Sequence, residues 1–141
     1  MPSEVSLRVA AADALHSGAI RLLRLVRAED AQAGIGPVQL SALSVLVFLG
    51  EKTVGELAGL EQVRPPTMSR VVEGLVQRRL VQRVSSPGDR RAVRITATPS
   101  GRKLLLAGKT RRVRALAKRF ERLTRDEVET LQAAAELMAR L

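Results

Sequence analysis

Two neighbouring segments decide the fold: Thr53-Val54-Gly55-Glu56-Leu57-Ala58-Gly59-Leu60 and, after Glu61-Gln62-Val63-Arg64, Pro65-Pro66-Thr67-Met68-Ser69-Arg70-Val71-Val72-Glu73-Gly74-Leu75-Val76. Thr53 and Glu56 have the spacing of a capping box, in which the hydroxyl accepts from the amide three residues on and the carboxylate reaches back. The helix it opens is short, buries Val54, Leu57 and Ala58, and runs out near Leu60. Pro65 and Pro66 open the next helix, where a missing N–H is tolerated. Met68, Val71, Val72, Leu75 and Val76 then fall at i, i+3, i+4, i+7 and i+8, a single apolar face. Arg70, Glu73, Gln77 and Arg78 occupy the opposite, exposed face. Two short helices joined by a turn of four residues predict a helix-turn-helix.

Toward the C-terminus the period changes. Leu80-Val81-Gln82-Arg83-Val84 is strand-like, and residues 85–91 read as a loop from their Ser, Pro and Gly content. From Ala92 to Ala97 the chain alternates, with Val93, Ile95 and Ala97 on one side and Arg94 and Thr96 on the other. This predicts a two-stranded wing with a basic tip. Thr98 and Pro99 restart a helix as N-cap and first residue, continuing through Leu105, Leu116 and Phe120 to about Leu123. Thr124 and Glu127 form a second capping box, and Val128, Leu131, Ala134, Ala135, Met138 and Leu141 line the last helix. Toward the N-terminus, Gly36-Pro37 opens a helix whose buried stripe is Leu40, Leu43, Val47 and Phe48, stopped by Gly50. Residues 5–32 lack proline, contain one glycine, and form a long helix with Val5, Val9, Ala12, Leu15, Ala19, Leu22, Leu23 and Val26 near helical spacing. So long a helix exceeds what one small core needs and suggests packing against a partner chain. The fold class expected is mainly α with a small two-stranded β wing.

Composition narrows the function. The 141 residues suffice for one domain with one core. The absence of cysteine excludes a disulfide scaffold, a thiolate metal site and a thiol sensor, and the single His16 argues against a zinc site. Without Trp or Tyr, and with only Phe48 and Phe120, a base-stacking reader of single strands is disfavoured. No signal peptide is visible, and the longest apolar stretch, about Ala42 to Leu49, is far short of a membrane span. The expectation is a cytoplasmic protein with no membrane partner, no metal and no cofactor. No Ser-His-Asp or Cys-His set and no phosphate-loop motif is present, so the chain is not expected to be an enzyme. The net charge of +10 is uneven: −2 over residues 1–63, +6 over 64–94, +9 over 102–125 and −3 over 126–141. A basic centre between weakly acidic ends fits a polyanion.

This order of elements resembles the MarR family of bacterial regulators, over nearly the whole chain. The likeness is carried by Glu56-Leu57-Ala58 with Arg64 to Val72 and Leu75, and by Pro87-Gly88-Asp89-Arg90-Arg91 followed at the expected distance by Thr98-Pro99-Ser100-Gly101. Relatives commonly have Gly where Arg79 ends the recognition helix, a left-handed cap position; either Arg79 takes positive φ at a cost of about 1 kcal/mol or the helix ends differently. Gly74 within that helix and Ala97, where Leu is common, are further departures. The resemblance implies one domain over 1–141, with a winged helix-turn-helix lobe over 37–97 and helical dimerisation regions over 4–33 and 99–141. It also implies a homodimer on a pseudo-palindromic double-stranded operator, repression, and release by a small lipophilic or phenolic effector whose site is unknown.

On this reading the recognition helix enters the major groove by its N-terminal end. Arg64, Pro66, Thr67, Ser69 and Arg70 stand there. Arg70 can bridge guanine O6 and N7 or hold a phosphate, and Thr67 and Ser69 suit either a base or a phosphate. At the wing, Arg91 matches the position that enters a minor groove, where negative potential concentrates. Asp89 orients it by a charge-assisted pair, and Arg90 and Arg94 meet phosphates. The basic run over 111–119 reads as a solvated or inter-helix face, with Glu29, Asp30, Glu129 and Glu136 as acids within reach. The alternative to a sequence-specific regulator is an architectural binder held by charge alone.

Overall fold

The computed structural model describes residues 1, 3–86 and 88–141, and for residues 86 and 89–91 the backbone alone. The chain divides into two compact units, one of Asp30–Thr110 and one of Met1–Glu29 with Arg111–Leu141.

In the unit of Asp30–Thr110, helix α2 (Pro37–Leu49) leads to a two-residue strand β1 (Lys52–Thr53), then α3 (Val54–Leu60) and α4 (Pro65–Gln77). Strands β2 (Val81–Ser86) and β3 (Asp89–Ala97) follow, and then the first half of α5 (Pro99–Phe120). One core joins them, with Leu43 from α2, Leu57 from α3, Met68, Val72 and Leu75 from α4, and Ile95 and Leu105 beyond, each 2% exposed or less. Full burial of such side chains contributes about 1.5–3 kcal/mol each, before the entropy of ordering them. The apolar periodicity of α4 thus does what its sequence demands.

Two expectations are corrected in this unit, and one strand is added. Phe48 is not part of the α2 stripe: it is 58% exposed, and Ala42 and Leu46 are buried in addition to Leu40, Leu43 and Val47. One residue past Val47, Phe48 is turned about 100° away from it around the helix. The two-stranded wing is present as β2 and β3, and a third, short strand joins it, giving an antiparallel sheet in the order β1-β3-β2. Lys52 pairs with Ile95 and Thr53 with Arg94; a strand of two residues carries no periodicity, so only the cap was legible there. The hairpin connection is also shorter than 85–91, because β2 reaches Ser86 and β3 starts at Asp89, with an irregular register between Ser85 and Ser86. Backbone pairing needs no particular side chain, so Ser and Arg content did not prevent it.

Local chemistry fixes the junctions. The Thr53 hydroxyl accepts from the Glu56 amide at 3.1 Å, and the Glu56 carboxylate accepts from the Thr53 amide at 2.9 Å. The Lys52 ammonium donates to the carbonyls of Leu49 and Glu51, at 2.8 and 3.1 Å, covering the end of α2. Ser41 on α2 donates to Glu61 in the helix-turn-helix turn at 2.8 Å.

In the other unit lie α1 (Glu4–Asp30), the C-terminal part of α5 and α6 (Arg125–Met138). The α5 helix stops at Phe120, three residues before the expected end. The amides of Arg122 and Leu123 turn back to the carbonyls of Arg119 and Phe120. Thr124 and Glu127 then make the expected reciprocal cap, at 2.8 and 3.3 Å. No residue of α1 or α6 is buried.

Candidate nucleic-acid interface

The recognition helix α4 presents its expected face. Arg64, Pro66, Thr67, Ser69 and Arg70 are exposed, while Met68 between them is buried. Arg64, Pro65, Pro66, Thr67 and Arg70 line an open hollow of about 510 Å³. Among the described residues, neither Arg64 nor Arg70 has an acidic partner. Pro65 and Pro66 carry no N–H, so of the amides at the start of α4 only those of Arg64 and Thr67 lack helical acceptors.

Both helices of the motif end in the same way. At the end of α3 the Val63 amide donates to the Ala58 carbonyl and the Gln62 amide to Gly59, with Gln62 at φ 53°. At the end of α4 the Leu80 amide donates to Leu75 and the Arg79 amide to Val76, with Arg79 at φ 57°. These are Schellman closures, which place one residue in the left-handed region. Of the two endings open at Arg79, the structure takes the one with positive φ; nothing in the Gln62 side chain signals its own positive φ.

Gly74, unusual inside a helix, has a packing explanation. A Cβ there would stand 2.4 Å from Nε2 of Gln39. The Oε1 of Gln39 accepts from the Gly36 amide at 3.2 Å, closing the start of α2. The missing side chain leaves room for a capping group on the neighbouring helix.

Other basic residues are committed within the protein. Arg78, expected on the exposed face, donates to the Gly34 carbonyl. Gly34 has φ 72°, and a Cβ there would lie 3.3 Å from the Arg78 guanidinium. Arg83 on β2 pairs with Glu73 on α4 at 2.8 Å. Arg94 on β3 lies 3.6 Å from Glu51 and 3.9 Å from Glu56. The side chains of Asp89, Arg90 and Arg91, which carry the expected wing contacts, lie outside the described residues. His16 is exposed on α1.

The Thr98-x-x-Gly101 pattern also acquires a cause. The Thr98 hydroxyl accepts from the Gly101 amide at 3.1 Å and donates to the Arg79 carbonyl at 2.7 Å. The Thr98 amide donates to the Leu80 carbonyl at 3.0 Å. A Cβ on Gly101 would be 2.1 Å from that carbonyl oxygen. The start of α5 is thereby locked against the end of the recognition helix.

Comparison with known proteins agrees with this architecture. The profile of the MarR family matches residues 33–92. An HTH-type transcriptional regulator of Mycobacterium tuberculosis is 38% identical over 127 residues, covering 90% of this chain and 89% of the relative. Among solved structures, a MarR family protein from Bacillus stearothermophilus superposes with a TM-score of 0.78 at 24% identity, covering 99% and 97% of the two chains. A single-residue variant of Staphylococcus aureus MepR, bound to an oligodeoxyribonucleotide, superposes with a TM-score of 0.71 at 21% identity, covering 92% and 96%. With its helix-turn-helix, its three-stranded wing sheet and a relative of this identity over nine-tenths of its length, the chain belongs to the MarR family of helix-turn-helix transcriptional regulators.

Proposed function

We propose that this regulator is a homodimeric, sequence-specific double-stranded DNA-binding repressor that recognises a pseudo-palindromic operator. One observation carries the reading: the first turns of α4 expose Arg64, Thr67, Ser69 and Arg70 above a fully buried Met68, Val72 and Leu75. A rigid support and an unpaired polar edge are what insertion into a major groove requires. The MepR variant bound to an oligodeoxyribonucleotide supports the same use of the fold. Arg90 and Arg91, oriented by Asp89, supply the wing contact in this reading. The lobe over 37–97 binds DNA, and the helices over 4–33 and 99–141 hold the second copy. Release by a small lipophilic or phenolic ligand rests on the family likeness alone.

The test is titration of the purified protein against the DNA upstream of its own coding sequence and against a scrambled duplex, across a salt series. One dimer bound per palindromic segment, well above the scrambled control, is the expected result. Arg70→Ala then relaxes preference at one base position by about 1–3 kcal/mol if Arg70 reads a base, or weakens all sequences alike if it holds a phosphate. The net charge of +10 favours a second reading, an architectural binder. Equal binding to both duplexes with a steep fall in salt selects it.

A further inference from the structure

Arg94 stands where the sheet changes width. It pairs with Thr53 on one side and Val84 on the other, whereas Val93 pairs only with Ser85. From that point outward the wing is a two-stranded ribbon, and such a ribbon is marginal without support. Its guanidinium lies between two carboxylates, Nε 3.6 Å from Glu51 and Nη1 3.9 Å from Glu56. Glu51 directly precedes β1, and Glu56 sits in the first turn of α3, where it also accepts from the Thr53 amide at 2.9 Å. On the neighbouring strand, Arg83 is tied to Glu73 of α4 at 2.8 Å. Each helix of the helix-turn-helix is therefore ion-paired to a different strand of the hairpin.

The charge balance separates two roles for Arg94. Lys52 lines the same hollow as Glu51, Glu56 and Arg94, so two cations and two carboxylates balance there, and the site offers a phosphate no net positive charge. We propose that Arg94 is a positioning residue: held by Glu51 and Glu56, it fixes β3 against α3 at the root of the wing and neutralises no phosphate. The wing's DNA contacts then belong to residues nearer its tip, and Arg94 acts through the angle at which the strands leave the sheet. This rests on the DNA-binding reading above.

Glu51→Gln decides between the two roles, because they predict opposite signs. Glu51 is half-exposed and its described side-chain contact is with Arg94, while its carbonyl contact with Lys52 uses only the backbone, so the variant is expected to keep its fold, verified by circular dichroism. If Arg94 held a phosphate, removing a nearby negative charge would tighten binding. As a clamp, its loss weakens binding to the upstream duplex about two- to fivefold, the range an exposed ion pair transmits, with the salt dependence unchanged. Arg94→Gln likewise weakens binding at an unchanged salt slope; a slope reduced by about one marks a lost phosphate contact. In the DNA-free variant, amide hydrogen exchange across residues 82–85 and 92–96 quickens by the same factor as the ribbon loosens. Binding by Glu51→Gln that is equal to or tighter than wild type, a reduced salt slope for Arg94→Gln, or unchanged exchange overturns the proposal. If the wild-type protein does not distinguish the upstream duplex from a scrambled one, the regulatory reading fails, and the exchange measurement alone then decides the clamp.

Discussion

At positive φ a side chain's Cβ crowds the neighbouring carbonyl, at a cost of about 1 kcal/mol; this chain carries that cost at Gln62 and again at Arg79. At both places the chain must reverse sharply after a short helix, and two amides must return to carbonyls of the last turn. The residues that follow, Val63 and Leu80, are half-buried and buried respectively, so the turn also delivers an apolar side chain to the core. Arg79→Gly removes the steric cost without touching these hydrogen bonds, which use only the backbone. It is expected to stabilise the protein by roughly 0.5–1 kcal/mol, less whatever glycine adds to the entropy of the unfolded chain. Urea denaturation checks this, and a lowered midpoint would show that the Arg79 side chain contributes something the backbone geometry does not reveal. Arg79 was marked as a candidate because it follows a clean apolar helix at a position where relatives carry glycine, but the sequence left the helix ending open. Gln62 had no such marker, since a glutamine looks the same in any turn.

At the scale of elements, the joint between wing and α5 shows how a short pattern acts through tertiary contact. Thr98 was readable as an N-cap from its place before Pro99. Its second bond, to the Arg79 carbonyl, was not, because that partner comes from the end of another helix. Gly101 was readable only as part of a familiar pattern; the close approach of the Leu80 carbonyl is its physical reason. In Gly101→Ala the new Cβ meets a backbone oxygen that cannot rotate away, with Leu43 beside it. The expected cost is about 2–3 kcal/mol of stability, even though alanine favours a helix by ~1 kcal/mol. A denaturation midpoint equal to wild type would mean that α5 can shift along its axis freely, contrary to this packing. Strand β1 and the exposed Phe48 were missed for a related reason. Both depend on which neighbour arrives, and neither a two-residue strand nor a single step around a helix leaves a periodic trace.

At the scale of the whole molecule, α1 and α6 leave much apolar surface uncovered in the single chain. Leu23 is 51% exposed, Leu22 44%, Leu131 44% and Leu137 56%. Surface of this extent on helices without a fully buried residue is the mark of an association face, and the proposed occupant is a second copy. Because folding and association are then linked, the unfolding midpoint is expected to rise with protein concentration. Sedimentation should give a dimer that Leu23→Glu converts to monomer, with loss of tight operator binding. A wild-type protein sedimenting as a monomer, with a midpoint independent of concentration, would remove the dimer from the reading. The sequence by itself determined the helices of the helix-turn-helix, their caps, the apolar face of α4 and the exposed edge of Arg64, Thr67, Ser69 and Arg70, because periodicity and capping act over three or four residues. Only the tertiary structure decided which cations remain open and which are held. Arg78, Arg83 and Arg94 meet Gly34, Glu73, Glu51 and Glu56, and every one of these partners is ten or more residues distant in the sequence. Electrostatic pairing depends on distance in space, and no local pattern encodes it.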